Sequence, residues 1–245
     1  MAFVAIFCPN TINILAGVNG MEVGQSIIIA LLIILNDTLY LTIPSHPATD
    51  SHYFSIYFLL PFLGVSFALL YHNWYPSKVF VGDTYCYFAG MVFAVVGILG
   101  HFSKTLLLLF IPQLINSAYS APQIFRLMPC PRHRLPHFNP KTGLMELSRA
   151  HFEKPPPYLV HLALTILEKL GLVRLWRNRK GEIVEVNNMT ILNLWILLWG
   201  PMREDNITIG IMAMQVVCGL IGLLIRHKLA LLVFSQDNMQ GVWTV

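Results

Sequence analysis

"YFSIYFLLPFLGVSFALLYHNWY", residues 53–75, runs for 23 residues without an aspartate, glutamate, lysine or arginine. A bilayer core about 30 Å thick is crossed by roughly 20 mainly apolar helical residues. No water reaches that layer, so backbone amides must bond within their own segment and a helix is the expected form. Four further stretches read the same way: 22–43, 84–100, 104–121 and 208–234. The fold class is therefore an all-α polytopic membrane protein with about five full transmembrane helices. Composition agrees, at 56% hydrophobic, 11% charged and a mean hydropathy of +0.62. A soluble domain carries about a quarter charged residues.

The opening "MAFVAIFC", 1–8, is apolar but too short to cross, and it lacks the basic flank of a secretory signal. It reads as the tail of a truncated first helix. Residues 122–190 break the apolar pattern, with eleven arginines and lysines against five glutamates, a net +6 where the whole chain carries +4. The positive-inside tendency puts this segment in the cytosol. Within it, "LVHLALTILEKLGL" from residue 159 has helical spacing and a stop near Gly171, and "LVRLW" and "EIVEV" flank the turn-like "RNRKG" as a small hairpin. "MTILNLWILLWGP", 189–201, is short for a crossing and reads as an interfacial or re-entrant helix. The expected organisation is 1–121, transmembrane helices with cytosolic loops; 122–205, a cytosolic α/β insertion; and 206–245, the last span and a tail.

Counting crossings narrows the site. Two spans separate "NILAGVNG", 13–20, from Asp83, and two more separate Asp83 from "PRHR", 131–134. All three segments should open on one face, the cytosolic one. Asp83 in "FVGDTYCYFAG", 80–90, is either a cap on the following helix or a ligand for a metal or substrate. In the first segment Asn10, Asn13, Gly17, Asn19 and Gly20 suit a helix end. Asn13 and Gly17 would also share a helical face if the helix continues, and an amide oxygen there could join a metal shell. Arg132, His133 and Arg134, between Pro131 and Pro136, suit either anionic lipid or a phosphate, which arginine grips with a two-pronged fork.

Cys8, Cys86, Cys130 and Cys218 form no CxxC pair and read as membrane-core packing. The sequons at Asn36, Asn188 and Asn206 fall in a span or beside the cytosolic segment and are expected to be unglycosylated. P-loop, HExxH and nucleophile-elbow signatures are absent.

Taken together, "NILAGVNG", "ALLYHNWYPSKVFVGDTYCYFAGM", "VVGILGHFSKT", "PCPRHRLPHFNPKTG" and "NNMT" make the chain resemble the dolichyl-phosphate N-acetylglucosaminephosphotransferases. These belong to the polyprenyl-phosphate hexosamine-1-phosphate transferases, glycosyltransferase family 4. The resemblance implies transfer of N-acetylglucosamine 1-phosphate from UDP-N-acetylglucosamine to dolichyl phosphate. The products would be dolichyl diphosphate N-acetylglucosamine and UMP, the first step of N-glycan precursor synthesis. It further implies a multi-pass endoplasmic reticulum protein with its site facing the cytosol, contacts with membrane lipid, a homodimer, and no nucleic-acid partner. Carried over by position, Asp83 is the catalytic residue and, with Asn13, a ligand for the Mg2+ cofactor. Gly17 and Asn19 contact the nucleotide sugar, and Phe80 stacks on uracil. Arg132, His133 and Arg134 hold the sugar and diphosphate, and Met128 lines the pocket.

One departure stands out. The family's adjacent aspartate pair, with a nearby lysine, has no counterpart here, since the chain contains no two consecutive aspartates. The expectation is a C-terminal portion that is inactive, or nearly so, by itself. Two rivals follow from other classes: a non-catalytic truncated protein that modulates the full-length enzyme, and a transporter built around Asp83 and the discontinuous 13–20 segment.

Overall fold

The computed structural model describes residues 1–43, 47–153 and 155–229. It is mostly helical and divides into two compact units, Met1–Leu114 with Met212–Val245, and Ile115–Ile211. Lys154 and the tail from residue 230, including the end of the span expected over 208–234, lie outside the described residues.

The first unit is a helical cluster: α1 (Ala2–Ile14), α2 (Met21–Leu41), α3 (Thr49–Asn73), α4 (Gly82–Leu99), α5 (Ser103–Leu109), the start of α6 (Ile111–Ile124) and most of α9 (Glu204–Leu224). A π-helical turn, Ile225–Leu229, continues α9. Four of these helices are long and apolar enough to cross a membrane: Met21–Leu41, Thr49–Asn73, Gly82–Leu99 and Glu204–Leu229. α2 is the centre, buried over 72% of its apolar window, whereas α3 is buried over only 28% and leaves Tyr57, Leu60, Val65 and Tyr71 uncovered. Apolar rings and branched chains on an outer face are what lipid contact requires. α1 lies hard against α4, because a Cβ on Gly90 would fall 2.3 Å from the Pro9 backbone. Small residues at such crossings let helix backbones approach where lipid gives no hydrophobic drive.

The stretch expected as one span over 104–121 is interrupted. α5 ends at Leu109, Phe110 leaves the helical region at φ −97° and ψ 18°, and α6 starts at Ile111. Pro112 explains the break, since it has no N–H for the Leu108 carbonyl and its ring would clash with that carbonyl in a continuous helix.

The hairpin of α2 and α3 carries a buried ionisable cluster that composition did not single out. Asp37, fully buried, accepts from Ser55 Oγ at 2.5 Å and contacts His52 Nδ1 at 2.8 Å, and the Tyr40 ring stacks on His52 at 4.6 Å. Asn36 Oδ1 lies 3.1 Å from His227 Nε2.

The second unit is the α/β insertion. β1 (His137–Asn139) and β2 (Leu144–Glu146) form one hairpin, and β3 (Arg149–His151), β5 (Ile183–Asn187) and β4 (Leu175–Arg177) form an antiparallel sheet in that order. The expected 175–187 hairpin is present, and so is α7 (Tyr158–Lys169), which stops before Gly171 at φ 72°. α8 (Ile191–Trp199) has nine residues, with Thr190 accepting from Asn193 N as its cap. Ala150, Leu164, Val173, Leu175, Ile183 and Val186 are among the residues that fill the core between α7 and the sheet. Cys8 and Cys86 are buried as expected of core packing, but Cys130 is exposed, because it lies in the loop after α6 rather than in a span.

Candidate active site

α1 ends where Leu15 leaves the helix at φ −93° and ψ 60°, and Gly17 takes φ 106°. Asn13 and Gly17 therefore do not share a continuing helical face: Asn13 closes the last turn of α1, and Gly17 belongs to the loop. That loop is tied down from three sides. The Gly17 N–H donates to Glu22 Oε1 at 3.0 Å, the Gly20 N–H donates to Asn73 Oδ1 at 2.9 Å, and Gln25 Nε2 donates to the carbonyls of Ile12 and Leu15 at 3.1 and 2.7 Å.

Asn73, the last residue of α3, holds a second loop with its other end. Its Nδ2 donates to the Val79 carbonyl at 3.0 Å and reaches Ser77 Oγ at 3.3 Å. The two loops together line a hollow of about 260 Å³ whose walls are Asn19, Ser77, Lys78, Val79 and Phe80. Thus Asn19 and Phe80, 61 positions apart in sequence, meet at one surface. Phe80 is 92% exposed, a ring held in the open with one edge 3.5 Å from where a Gly82 Cβ would sit. Gly82 adopts φ 69°, which a residue with a side chain would resist.

Asp83 does not cap α4. Val81 occupies the cap position, no side chain bonds there, and Asp83 sits exposed in the first turn. Its carboxylate has no hydrogen bond or ion pair among the described residues, and neither has the side-chain amide of Asn13. α1 and α4 approach closely at Pro9 and Gly90, and Asn13 and Asp83 lie four and seven residues from that point on their helices. Two hard oxygen donors without protein partners suit magnesium, which usually takes one or two protein carboxylates and completes its shell with phosphate and water. No cluster of three or more histidine, cysteine, aspartate or glutamate side chains occurs among the described residues, so a closed all-protein metal cage is not available there.

In the second unit Arg132 and His133 are exposed, and Arg134 is half-buried. Arg134 is held by its backbone, whose carbonyl accepts from Asn193 Nδ2 at 2.9 Å. Its Nη1 is buried with no hydrogen-bond partner. An orphaned guanidinium nitrogen is costly unless an anion completes it. The support beneath is a run of buried amides. Asn188 Nδ2 donates to Ser148 Oγ at 2.9 Å, Ser148 Oγ and N both donate to Asn193 Oδ1, and Gln123 Nε2 donates to Asn188 Oδ1. Of the three sequon asparagines, Asn188 is 1% exposed and Asn36 fully buried, so neither of these two is open to a glycan, whereas Asn206 is exposed. Met128, expected to line a pocket, is buried in the core with Leu164 and Val186.

The profile of glycosyl transferase family 4 matches residues 1–101, which include both loops and Asp83. The UDP-N-acetylglucosamine–dolichyl-phosphate N-acetylglucosaminephosphotransferase of Saccharomyces cerevisiae is 55% identical over 246 residues, covering 100% of this chain and 54% of the relative. That of Schizosaccharomyces pombe is 54% identical over 98% of this chain, and that of Dictyostelium discoideum 43% over 93%. Over residues 1–101 the chain is similar to glycosyl transferase family 4. It spans about half the length of the curated relatives it matches.

Glu22, Gln25 and Asn73 carry no sequence motif of their own and were not among the expected site residues. Each acts on a neighbouring loop's backbone, which no motif records. The one available signal was position: Glu22 and Gln25 directly follow the glycine loop, and Asn73 directly precedes "WYPSKVFVGD". The asparagines of "NNMT" carried a signal as part of the resemblance but not a role. Asn188 supports Ser148, which shares Asn193 with the Arg134 carbonyl, and Asn187 Oδ1 accepts from the Arg174 N–H.

Proposed function

We propose that the chain carries the nucleotide-sugar side of an N-acetylglucosamine-1-phosphate transfer from UDP-N-acetylglucosamine to dolichyl phosphate, releasing UMP. The observation that carries this reading is the hollow shared by Asn19 and Phe80, the latter three residues along the chain from Asp83, whose carboxylate has no hydrogen bond or ion pair among the described residues, in a chain 55% identical along its whole length to part of an N-acetylglucosaminephosphotransferase.

In this reading Phe80 presents its open face to the uracil ring, a sequence-tolerant contact worth about 1–3 kcal/mol per base. Gly17 and Asn19 shape the loop against the nucleotide sugar, with no side chain at Gly17 to keep the ligand from the backbone. Asp83 and Asn13 present the oxygens that hold Mg2+, and Arg132, His133 and Arg134 bind the sugar and diphosphate. Met128 acts from beneath, packing the floor on which that basic loop stands. Magnesium bound there supplies charge neutralisation for the diphosphate and the departing UMP. Arginine supplies fixed positive charge to phosphate oxygens, and phosphoryl transfer depends on such positioning more than on covalent help from the protein.

The finer setting belongs to the same proposal. The helix interrupted at Phe110 counts as a fifth crossing, the protein sits in the endoplasmic reticulum membrane with its site facing the cytosol, and it forms a homodimer. The test is a chimaera in which residues 1–245 replace the matching half of the S. cerevisiae relative, assayed for label moving from UDP-N-acetylglucosamine to extractable dolichyl lipid. Transfer supports the proposal, and a folded, membrane-inserted chimaera that transfers nothing refutes it.

A further inference from the structure

We propose that Gln25 is a positioning residue that sets the orientation of Asn13 by holding the carbonyls on either side of it; this rests on the reading of Asn13 as a metal ligand. A helix leaves its last four carbonyls without partners, and in an apolar setting each such group is costly. α1 ends at Ile14, and Gln25 Nε2, on the second turn of α2, takes the carbonyls of Ile12 and Leu15 at 3.1 and 2.7 Å. Asn13 lies between those two anchored peptides. With its flanking backbone fixed, few conformations of its side chain remain, and the amide is directed without a hydrogen bond of its own.

The orientation of Gln25 is itself determined by its surroundings. Two carbonyl acceptors compel the NH2 to face α1, so Oε1 faces away and must accept. Gln113 Nε2 donates to it at 2.8 Å and also to Gln215 Oε1 at 2.8 Å, while Gln215 Nε2 donates to the Leu109 carbonyl at 2.7 Å, beside the interruption at Phe110. Both outer glutamines spend their N–H groups on backbone carbonyls, so both offer Gln113 an oxygen. Gln113 has to answer with its NH2 twice, and its own Oε1 is left buried without a donor. A buried network that tolerates one orphaned acceptor in order to keep Gln25 turned toward Asn13 fixes that direction more firmly than packing alone.

The test uses the full chain in nanodiscs and reads Mg2+-dependent binding of UDP-N-acetylglucosamine by calorimetry. Gln25→Glu keeps the size and the acceptor for Gln113 but withdraws both N–H donors. It is expected to raise the Mg2+ concentration for half-saturation about 10- to 100-fold, as losses from a metal's supporting shell do. Gln215→Leu breaks the same network without touching Ile12 or Leu15, and is expected to shift that concentration less than about twofold, while costing thermal stability. Asn13→Ala added to Gln25→Glu is expected to bring no further loss, because both act through one group. An unchanged Mg2+ requirement in Gln25→Glu, an equal shift in Gln215→Leu, or additive losses with Asn13→Ala would overturn the assignment. A parent chain that shows no Mg2+-dependent binding refutes the functional reading instead, which separates the two failures.

Discussion

Asn73 and Gly20 are joined by a hydrogen bond of 2.9 Å, from the Gly20 N–H to Asn73 Oδ1, across 53 positions of sequence. The same side chain donates to the Val79 carbonyl. One buried amide thus sets the separation of the loop that carries Gly17 and Asn19 from the loop that carries Phe80. Asn73→Asp keeps the acceptor for Gly20 and loses the donor to Val79, whereas Asn73→Leu loses both. Affinity for UDP-N-acetylglucosamine, measured by titration, should fall in the order parent, Asp, Leu, with the Leu variant down about tenfold, one hydrogen bond's worth or more.

Phe80 makes the opposite kind of prediction. A ring 92% exposed contributes little to folding, so Phe80→Ala should leave the melting temperature in detergent within error. Nucleotide binding should weaken by about 1–3 kcal/mol, while Phe80→Trp, which keeps a stacking face, should retain most of it. Equal binding in the Ala variant would remove Phe80 from the site.

The far end of the α2–α3 hairpin tests stability instead. His52→Leu takes from the fully buried Asp37 one of its hydrogen-bond partners, at a cost of about 1–3 kcal/mol. Thermal unfolding should show that loss, while the Mg2+ requirement for nucleotide binding stays put, since Asp37 and Asn73 sit at opposite ends of the hairpin.

Within the insertion, Arg177 hydrogen-bonds Glu168 through both guanidinium arms and holds the Glu168 carboxyl below its ordinary range, while the same pairing raises Arg177. A carboxyl lowered in the folded state stabilises above its unfolded value, near 4.3, and loses that contribution as pH falls through the lower folded value. Both groups are about one-third exposed, so the gain is no more than about 1 kcal/mol. Glu168→Gln should lower stability slightly at pH 7, and the difference should shrink as pH falls through the lowered folded value, as read from unfolding curves along a descending pH series.

The apolar runs and the 175–187 hairpin were legible because hydropathy and turn chemistry are local properties. Pro112 was visible too, yet its effect on the 104–121 span was not, because a proline inside an apolar run can kink a helix or end it, and the neighbours decide. The Pro140–Gly143 turn between β1 and β2 was overlooked for the same reason in reverse, its flanking strands being only three residues each. Asp83 and Asn19 stood out as polar residues in apolar company. Asn73, Gln25 and Asp37 stood in the same company and did not, since their meaning lies in backbone groups and side chains 10 to 53 positions away.

The central claim is that Asp83 serves N-acetylglucosamine-1-phosphate transfer, and the chimaera with the S. cerevisiae relative tests it most directly. With residues 1–245 in place, label should pass from UDP-N-acetylglucosamine to dolichyl phosphate. Asp83→Asn, which keeps the shape of the side chain but removes its charge and one of its two oxygens, should cut the rate by about 100-fold or more without lowering the amount of folded protein. Undiminished transfer by the Asp83→Asn chimaera would contradict the account.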